Sequence, residues 1–194
     1  LGTNSILKAI KGKKIKLVFI STDKAVKPKN ILGLTKRIGE LLIHFTFLDK
    51  DYQKSKYFIV RFGNVIGSDG SALPYFLDQI KKDLPIELTD RKMQRYFMSI
   101  KEACNLVLHC SNLKNKNSIF FLDMGKPVKI LDIIKKMFDI YKQPGQKLKV
   151  KISGNKFNEK ISEKLTLDNK IKKTKINKIF FIKDKLPKKT YFYD

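Results

Sequence analysis

At 194 residues, 42% of them hydrophobic, the chain is long enough to bury an ordinary core, as one domain or as two small ones. Its formal net charge of +24 raises nucleic acid or an anionic membrane surface as partners. Yet four of the 42 basic residues are arginines and 38 are lysines scattered among many Ile and Asn, so compositional bias with a solvated surface explains the excess and no nucleic acid is expected. A basic surface also suits an anionic nucleotide substrate, or a domain lying close to acidic lipid. No run approaches the roughly 18 apolar residues of a spanning helix, and no charged leader precedes an apolar segment, so this stretch of chain is expected to be soluble. Cys104 and Cys110 have no companions at metal-ligand spacing, which argues against a disulfide framework or a zinc site. Both read as small core residues, six apart on a helix and not sharing a face.

In chain order, residues 1–11 carry a short helical pattern (Leu1, Ile6, Leu7, Ile10) without an obvious cap. Ile15, Leu17, Val18, Phe19 and Ile20 form a β-branched and aromatic run that reads as a strand buried on both faces, as in a parallel sheet. It ends at Ser21-Thr22-Asp23-Lys24, a hydroxyl, a carboxylate and an ammonium at the carboxyl end of a strand, where open α/β sheets bind ligands. Pro28 pushes Lys27 out of the helical region, and Asn30 can cap a helix starting at Ile31. Ile31, Leu34, Ile38, Leu41, Leu42 and Phe45 then recur at helical spacing, an amphipathic helix. Lys36, in its second turn, can lean back toward the strand end.

Residues 57–62 form a second apolar strand, so strand, helix and strand make a right-handed βαβ unit with parallel strands. A turn cluster at 67–71 precedes a helix starting near 74–80. A short strand is expected at 84–89, another short segment at 95–98, helices at 100–110 and 130–141, and a strand at 119–122. A lysine-rich α+β tail follows, whose clearest strand is 178–183 around Phe180 and Phe181. His44 and His109, on helices amid apolar residues, read as packing residues, and Tyr96, Phe97 and Met98 as core.

The motif Ser21-Thr22-Asp23-Lys24-Ala25-Val26-x-Pro28-x-Asn30, the helix with Gly33, Thr35, Lys36 and Arg37, and Arg61-Phe62-Gly63-Asn64-Val65-x-Gly67-Ser68-x-Gly70-Ser71 resemble CapD-type polysaccharide biosynthesis proteins. Those are nucleotide-sugar 4,6-dehydratases of the extended short-chain dehydrogenase/reductase superfamily. Arg95-Tyr96-Phe97-Met98, Phe121-Leu122-Asp123-Met124-Gly125 with Pro127-Val128, and residues 159–165 (Glu-Lys-Ile-Ser-Glu-Lys-Leu) follow in the family's order, so the likeness covers essentially the whole chain. It implies an α/β fold: the C-terminal part of a Rossmann-type parallel sheet plus a smaller α+β substrate-binding domain. The first is expected over residues 1–66 and the second over 67–194, with approximate boundaries open to interleaving. No G-x-G-x-x-G occurs in the sequence, so this stretch by itself is expected to bind NAD weakly or not at all.

The resemblance implies NAD as cofactor and a UDP-sugar, UDP-N-acetylglucosamine, as substrate. Thr22, Asp23, Lys24 and Lys36 are the implied catalytic set: Lys24 as base for the C5 proton, Asp23 as acid toward the C6 hydroxyl, Thr22 on the C4 oxygen, Lys36 on the nicotinamide ribose. Phe62 is expected by the nicotinamide, Asn64 by the diphosphate region and Arg95 on the pyrophosphate, against the plainer readings of core phenylalanine, turn asparagine and surface ion pair. No metal is expected. Most superfamily enzymes place a Tyr four residues before the helix Lys; Leu32 stands there, which favours the membrane-associated dehydratase branch over 4-epimerases. A homo-oligomer is expected, cytoplasmic or at the cytoplasmic face of a membrane. A 4-epimerase, an inactive fragment and, more distantly, a basic nucleic-acid-binding module remain the rivals.

Overall fold

The computed structural model describes residues 2–68, 70–114, 117–154, 159–167 and 171–183. Leu1 of the first helical pattern and Asp69 of the turn cluster lie outside them. The order begins with α1 (Gly2–Ile10), β1 (Lys16–Thr22), a 3-10 turn (Asp23–Ala25), α2 (Ile31–Thr46), β2 (Lys56–Phe62) and β3 (Asn64–Val65). It continues with α3 (Ala72–Lys81), β4 (Ile86–Leu88), β5 (Gln94–Arg95), β6 (Phe97–Met98), α4 (Ile100–Ser111) and β7 (Ser118–Leu122). Last come β8 (Val128–Lys129), α5 (Ile130–Tyr141), β9 (Val150–Ile152), β10 (Lys172–Lys173) and β11 (Ile179–Ile182).

Two compact units are interleaved along the chain. One takes residues 1–62, 104–123 and 164–194; the other takes 63–103 and 124–163. In the first, a five-stranded sheet runs β1-β2-β7-β11-β10. Its first three strands are parallel, β1 meeting β2 from Lys16↔Lys56 to Thr22↔Phe62, while β11 and β10 are antiparallel additions. Strand β2 is the centre of gravity: Tyr57 and Ile59 join Ile43, Phe47, Ile119 and Phe121 in one core cluster. On alternate positions Phe58 and Val60 are fully buried, and Phe58 packs on Phe120 with centroids 6.0 Å apart.

Strand β1 departs from the expectation of burial on both faces. It is the edge of the sheet, and its positions before Ser21 are exposed or half-buried, Ile20 being 47% exposed. With β2 as its only neighbour among the described residues, its apolar run has one flank to bury.

Helix α2 also turns an unexpected face to the sheet. Asn30 caps it as expected, its Oδ1 accepting from the Gly33 amide at 2.9 Å. The apolar residues Ile31, Leu34 and Ile38 are exposed, whereas Gly33, Gly39, Glu40 and Ile43 are buried. Close approach explains the choice. A Cβ at Gly33 would overlap the Lys24 carbonyl oxygen, and one at Gly39 would come within 2.6 Å of the Phe19 ring. Only glycine lets the helix lie this near the strand.

The second unit is built around Phe76, Ile80, Ile86, Leu88, Ile130, Ile134 and Phe138. It holds the strand pairs β3–β6 and β4–β9, both parallel, and the antiparallel pair β5–β8. Helix α4 is opened by a capping box in which the Ser99 amide donates to Glu102 at 2.8 Å and the Glu102 amide to Ser99 Oγ at 3.2 Å. The expectation that both cysteines are core residues holds for Cys110 and fails for Cys104, which is exposed.

Candidate active site

The residues at the end of β1 converge as the sequence suggests. Thr22, in extended conformation, caps the 3-10 turn: its Oγ1 accepts from the Lys24 amide at 3.3 Å and donates to Asp23 Oδ1 at 3.0 Å. Lys24 Nζ reaches the same Asp23 oxygen at 3.0 Å, the lysine side chain being 22% exposed and the carboxylate fully buried. Asp23 Oδ2 has no hydrogen-bond partner among the described residues. A buried carboxylate oxygen left without a donor is costly, and active sites are where such a cost is retained.

Lys36 does lean back to the strand. Its Nζ donates to the Ile20 carbonyl at 3.1 Å and lies 5.5 Å from the Phe19 ring centroid. Phe62, half-buried, sits beside Thr22 as its register partner across β1 and β2. Leu32 is 54% exposed on the first turn of α2.

Asn64 and Arg95 belong to the other unit. Asn64 opens β3, its amide donating to the Tyr96 carbonyl at 2.8 Å. Arg95 is buried, and its Nη1 donates to the carbonyls of Gln94 and Lys160 at 2.8 Å and of Ile161 at 3.3 Å. This guanidinium nitrogen is engaged with backbone from the 159–165 motif. Within that motif Lys160 pairs with Glu163 at 3.0 Å, and Glu159 accepts from Thr89 Oγ1 at 3.0 Å.

Sequence reading passed over the cluster directly behind the strand end. Glu40 of α2 is fully buried; its Oε1 accepts from Ser21 Oγ at 2.6 Å and Arg61 Nε at 2.9 Å, its Oε2 from Arg61 Nη2 at 2.8 Å and Arg37 Nη1 at 2.9 Å. Burial works to raise its pKa, but the hydrogen bonds and charge of Arg61, with the hydrogen bonds of Ser21 and Arg37, hold it below the ordinary value of 4.5. The available signal was an arginine inside the apolar run of β2 and a glutamate within a helix face carrying two glycines.

Among the described residues no group of three His, Cys, Asp or Glu side chains is placed to hold a metal ion, and no helix is long and apolar enough to cross a membrane.

The family profile described as "Polysaccharide biosynthesis protein" matches residues 1–184. The chain belongs to this family. Within it the chain is CapD-like and falls in the extended short-chain dehydrogenase/reductase superfamily. It is 43% identical over 172 residues to "Capsular polysaccharide biosynthesis protein CapD" of Staphylococcus aureus, covering 88% of this chain and 28% of that protein. It is 34% identical over 166 residues to "UDP-glucose 4-epimerase" of Rickettsia canadensis, covering 85% of this chain and 48% of that one. Among solved structures it is similar to Pen from Bacillus thuringiensis, with a TM-score of 0.83 and 31% identity over 93% of this chain and 56% of that chain. The family member described here therefore spans half or less of the length of these two curated relatives, and its α/β architecture with a parallel sheet is that of the superfamily.

Proposed function

We propose that the protein carrying this chain is an NAD-dependent nucleotide-sugar 4,6-dehydratase of polysaccharide biosynthesis, acting on UDP-N-acetylglucosamine as an oligomer at the cytoplasmic side of a membrane. The observation that carries the reading is the Asp23–Lys24 pair, with one carboxylate oxygen engaged and the other buried and without a partner among the described residues. Elimination of water across C5 and C6 needs a base and an acid side by side, and this pair supplies both. Shifting one proton along the 3.0 Å contact turns an ammonium and a carboxylate into an amine and a carboxylic acid without changing the total charge.

Lys24 then removes the C5 proton, and Asp23 delivers its proton to the departing C6 hydroxyl, which leaves as water. Lys24 returns its proton to C5. The C4 hydroxyl gives its proton up to solvent as hydride leaves, before the elimination, and one proton from solvent restores Asp23 afterwards, so the pair ends as it began. Thr22 donates to the C4 oxygen in place of Asp23 while that oxygen becomes a carbonyl. NAD, when bound, supplies the hydride chemistry, accepting at C4 and giving back at C6. The residues here fit the nicotinamide end of that cofactor, with Lys36 at the strand end for the ribose and Phe62 beside Thr22 for the ring. No Gly-rich turn for its pyrophosphate occurs in the sequence. Asn64 would contact the diphosphate region of the sugar nucleotide. Arg95 would reach the pyrophosphate through donors other than the nitrogen it spends on backbone carbonyls.

A 4-epimerase is the second reading, favoured by the name of the Rickettsia relative. Turnover in deuterated water separates the two. A dehydratase yields a product lighter by one water and labelled at C5; an epimerase yields a product of unchanged composition with no C5 label, and that outcome would overturn the proposal.

A further inference from the structure

We infer that Glu40 is a positioning residue, which holds the Asp23–Lys24 turn at a fixed height on α2 by gripping the strand end through Ser21. The inference rests on the dehydratase reading for its kinetic consequence, and on geometry alone for its mechanical one.

Among the described residues β1 pairs with β2 alone, and from Lys16 to Ile20 its positions are exposed or half-buried. Ser21 is its one fully buried position. In the sheet Ser21 and Arg61 are register partners, their side chains emerging on the same face, and both bind the carboxylate that α2 lowers onto them. A carboxylate offers about four lone-pair directions. Here four hydrogen bonds fill them, from a strand-end hydroxyl, a neighbouring-strand guanidinium and a guanidinium one turn back on the helix. Arg61 extends the network to the Leu165 carbonyl at 3.3 Å. A group so saturated in a dry setting has nowhere to swing.

The helix touches the catalytic stretch at three heights. Gly33 abuts the Lys24 carbonyl, Lys36 reaches the Ile20 carbonyl, and Glu40, one turn beyond Lys36, takes the Ser21 hydroxyl. The first is a steric stop and the second an exposed hydrogen bond. The third is buried and charge-assisted, so it sets the register in which the other two operate. Two residues past Ser21 lies the carboxylate whose free oxygen must meet the substrate; a small slip there misdirects both acid and base.

Ser21→Ala tests this, because it cuts β1 from the cluster while leaving both arginine–glutamate pairs in place. Ser21→Thr restores the hydroxyl on a residue suited to a strand. In the intact protein, amide exchange over residues 20–26 should quicken about tenfold in Ser21→Ala, the worth of one hydrogen bond to a charged group, and return in Ser21→Thr. With UDP-N-acetylglucosamine, kcat should fall about tenfold while KM stays constant, again with rescue by Thr. Unchanged exchange in folded Ser21→Ala, faster exchange with unchanged kcat in an active enzyme, or failure of Thr to rescue would each overturn the inference. If the parent protein does not dehydrate the sugar, the functional reading fails on its own, and the exchange data still decide whether Glu40 fixes the turn.

Discussion

Two buried carboxylates in the same unit, Asp23 and Glu40, are both fully removed from solvent and both paired with basic side chains, yet they are treated oppositely. Glu40 gives both oxygens to three partners on three segments of chain, and nothing of it is left to bind anything else. Asp23 gives one oxygen to its sequence neighbours Thr22 and Lys24 and leaves the other bare. Burial and charge pairing are therefore common to both carboxylates. The number of lone pairs left over is what differs, and the proposed chemistry is assigned on that difference.

The largest effects should come from breaking each cluster, and they should fall on different observables. On the proposed mechanism Lys24→Ala removes the base, and it empties no core, since the side chain is partly exposed. Turnover is expected to drop by about 10²- to 10⁴-fold, the usual worth of a positioned acid–base group, with a smaller loss of stability than Glu40→Ala causes, since the partly exposed Lys24 site lets water reach the pair. Turnover near the parent's would remove Lys24 from the mechanism. Glu40→Ala takes away the carboxylate with which the buried Arg61 is paired and should cost about 3–5 kcal/mol in denaturant unfolding. A loss below about 1 kcal/mol would mean that water or another side chain replaces Glu40.

A smaller effect follows from the sign of the Glu40 shift. Its pKa in the folded protein lies below 4.5, so the stability it contributes is full above that value and is lost as pH falls through the lower, folded-state pKa. Melting curves recorded from about pH 5 to about pH 3 should therefore fall more steeply for the parent than for Glu40→Gln, in which this ionisation is absent. Parallel slopes would show that Glu40 does not ionise with a depressed pKa.

The cluster at the end of β1 was legible as a place because its residues are contiguous: a polar tetrad closes an apolar run. The βαβ unit and most later elements were equally legible, from apolar runs and caps such as Asn30. Two things were not. The inward face of α2 is decided by clearance, where Gly33 and Gly39 let the helix settle on Lys24 and Phe19, and a count of apolar residues points to the opposite face. The Glu40 cluster joins residues 21, 37, 40 and 61, a long-range meeting that no local spacing announces. The same holds for Arg95, whose bonds to the carbonyls of Lys160 and Ile161 bridge more than sixty residues of sequence.

The gentlest probe of the two clusters is the pair of cysteines on α4. Six residues advance a helix by about 240°, so one thiol faces inward and the other outward. Cys104 is exposed; Cys110 is buried, and burial pushes its thiol up to about 12. At about pH 8 Cys110 therefore stays a shielded thiol, so an alkylating reagent should modify the exposed Cys104 promptly and reach Cys110 only when the protein opens. Because Cys110 lies in the unit that holds both carboxylates, its labelling rate reports how often that unit opens. Glu40→Ala should raise that rate more than Lys24→Ala does, since the Glu40 cluster joins three segments of the unit and Lys24 pairs with its sequence neighbour Asp23. Equal acceleration in both variants would erase the distinction between them.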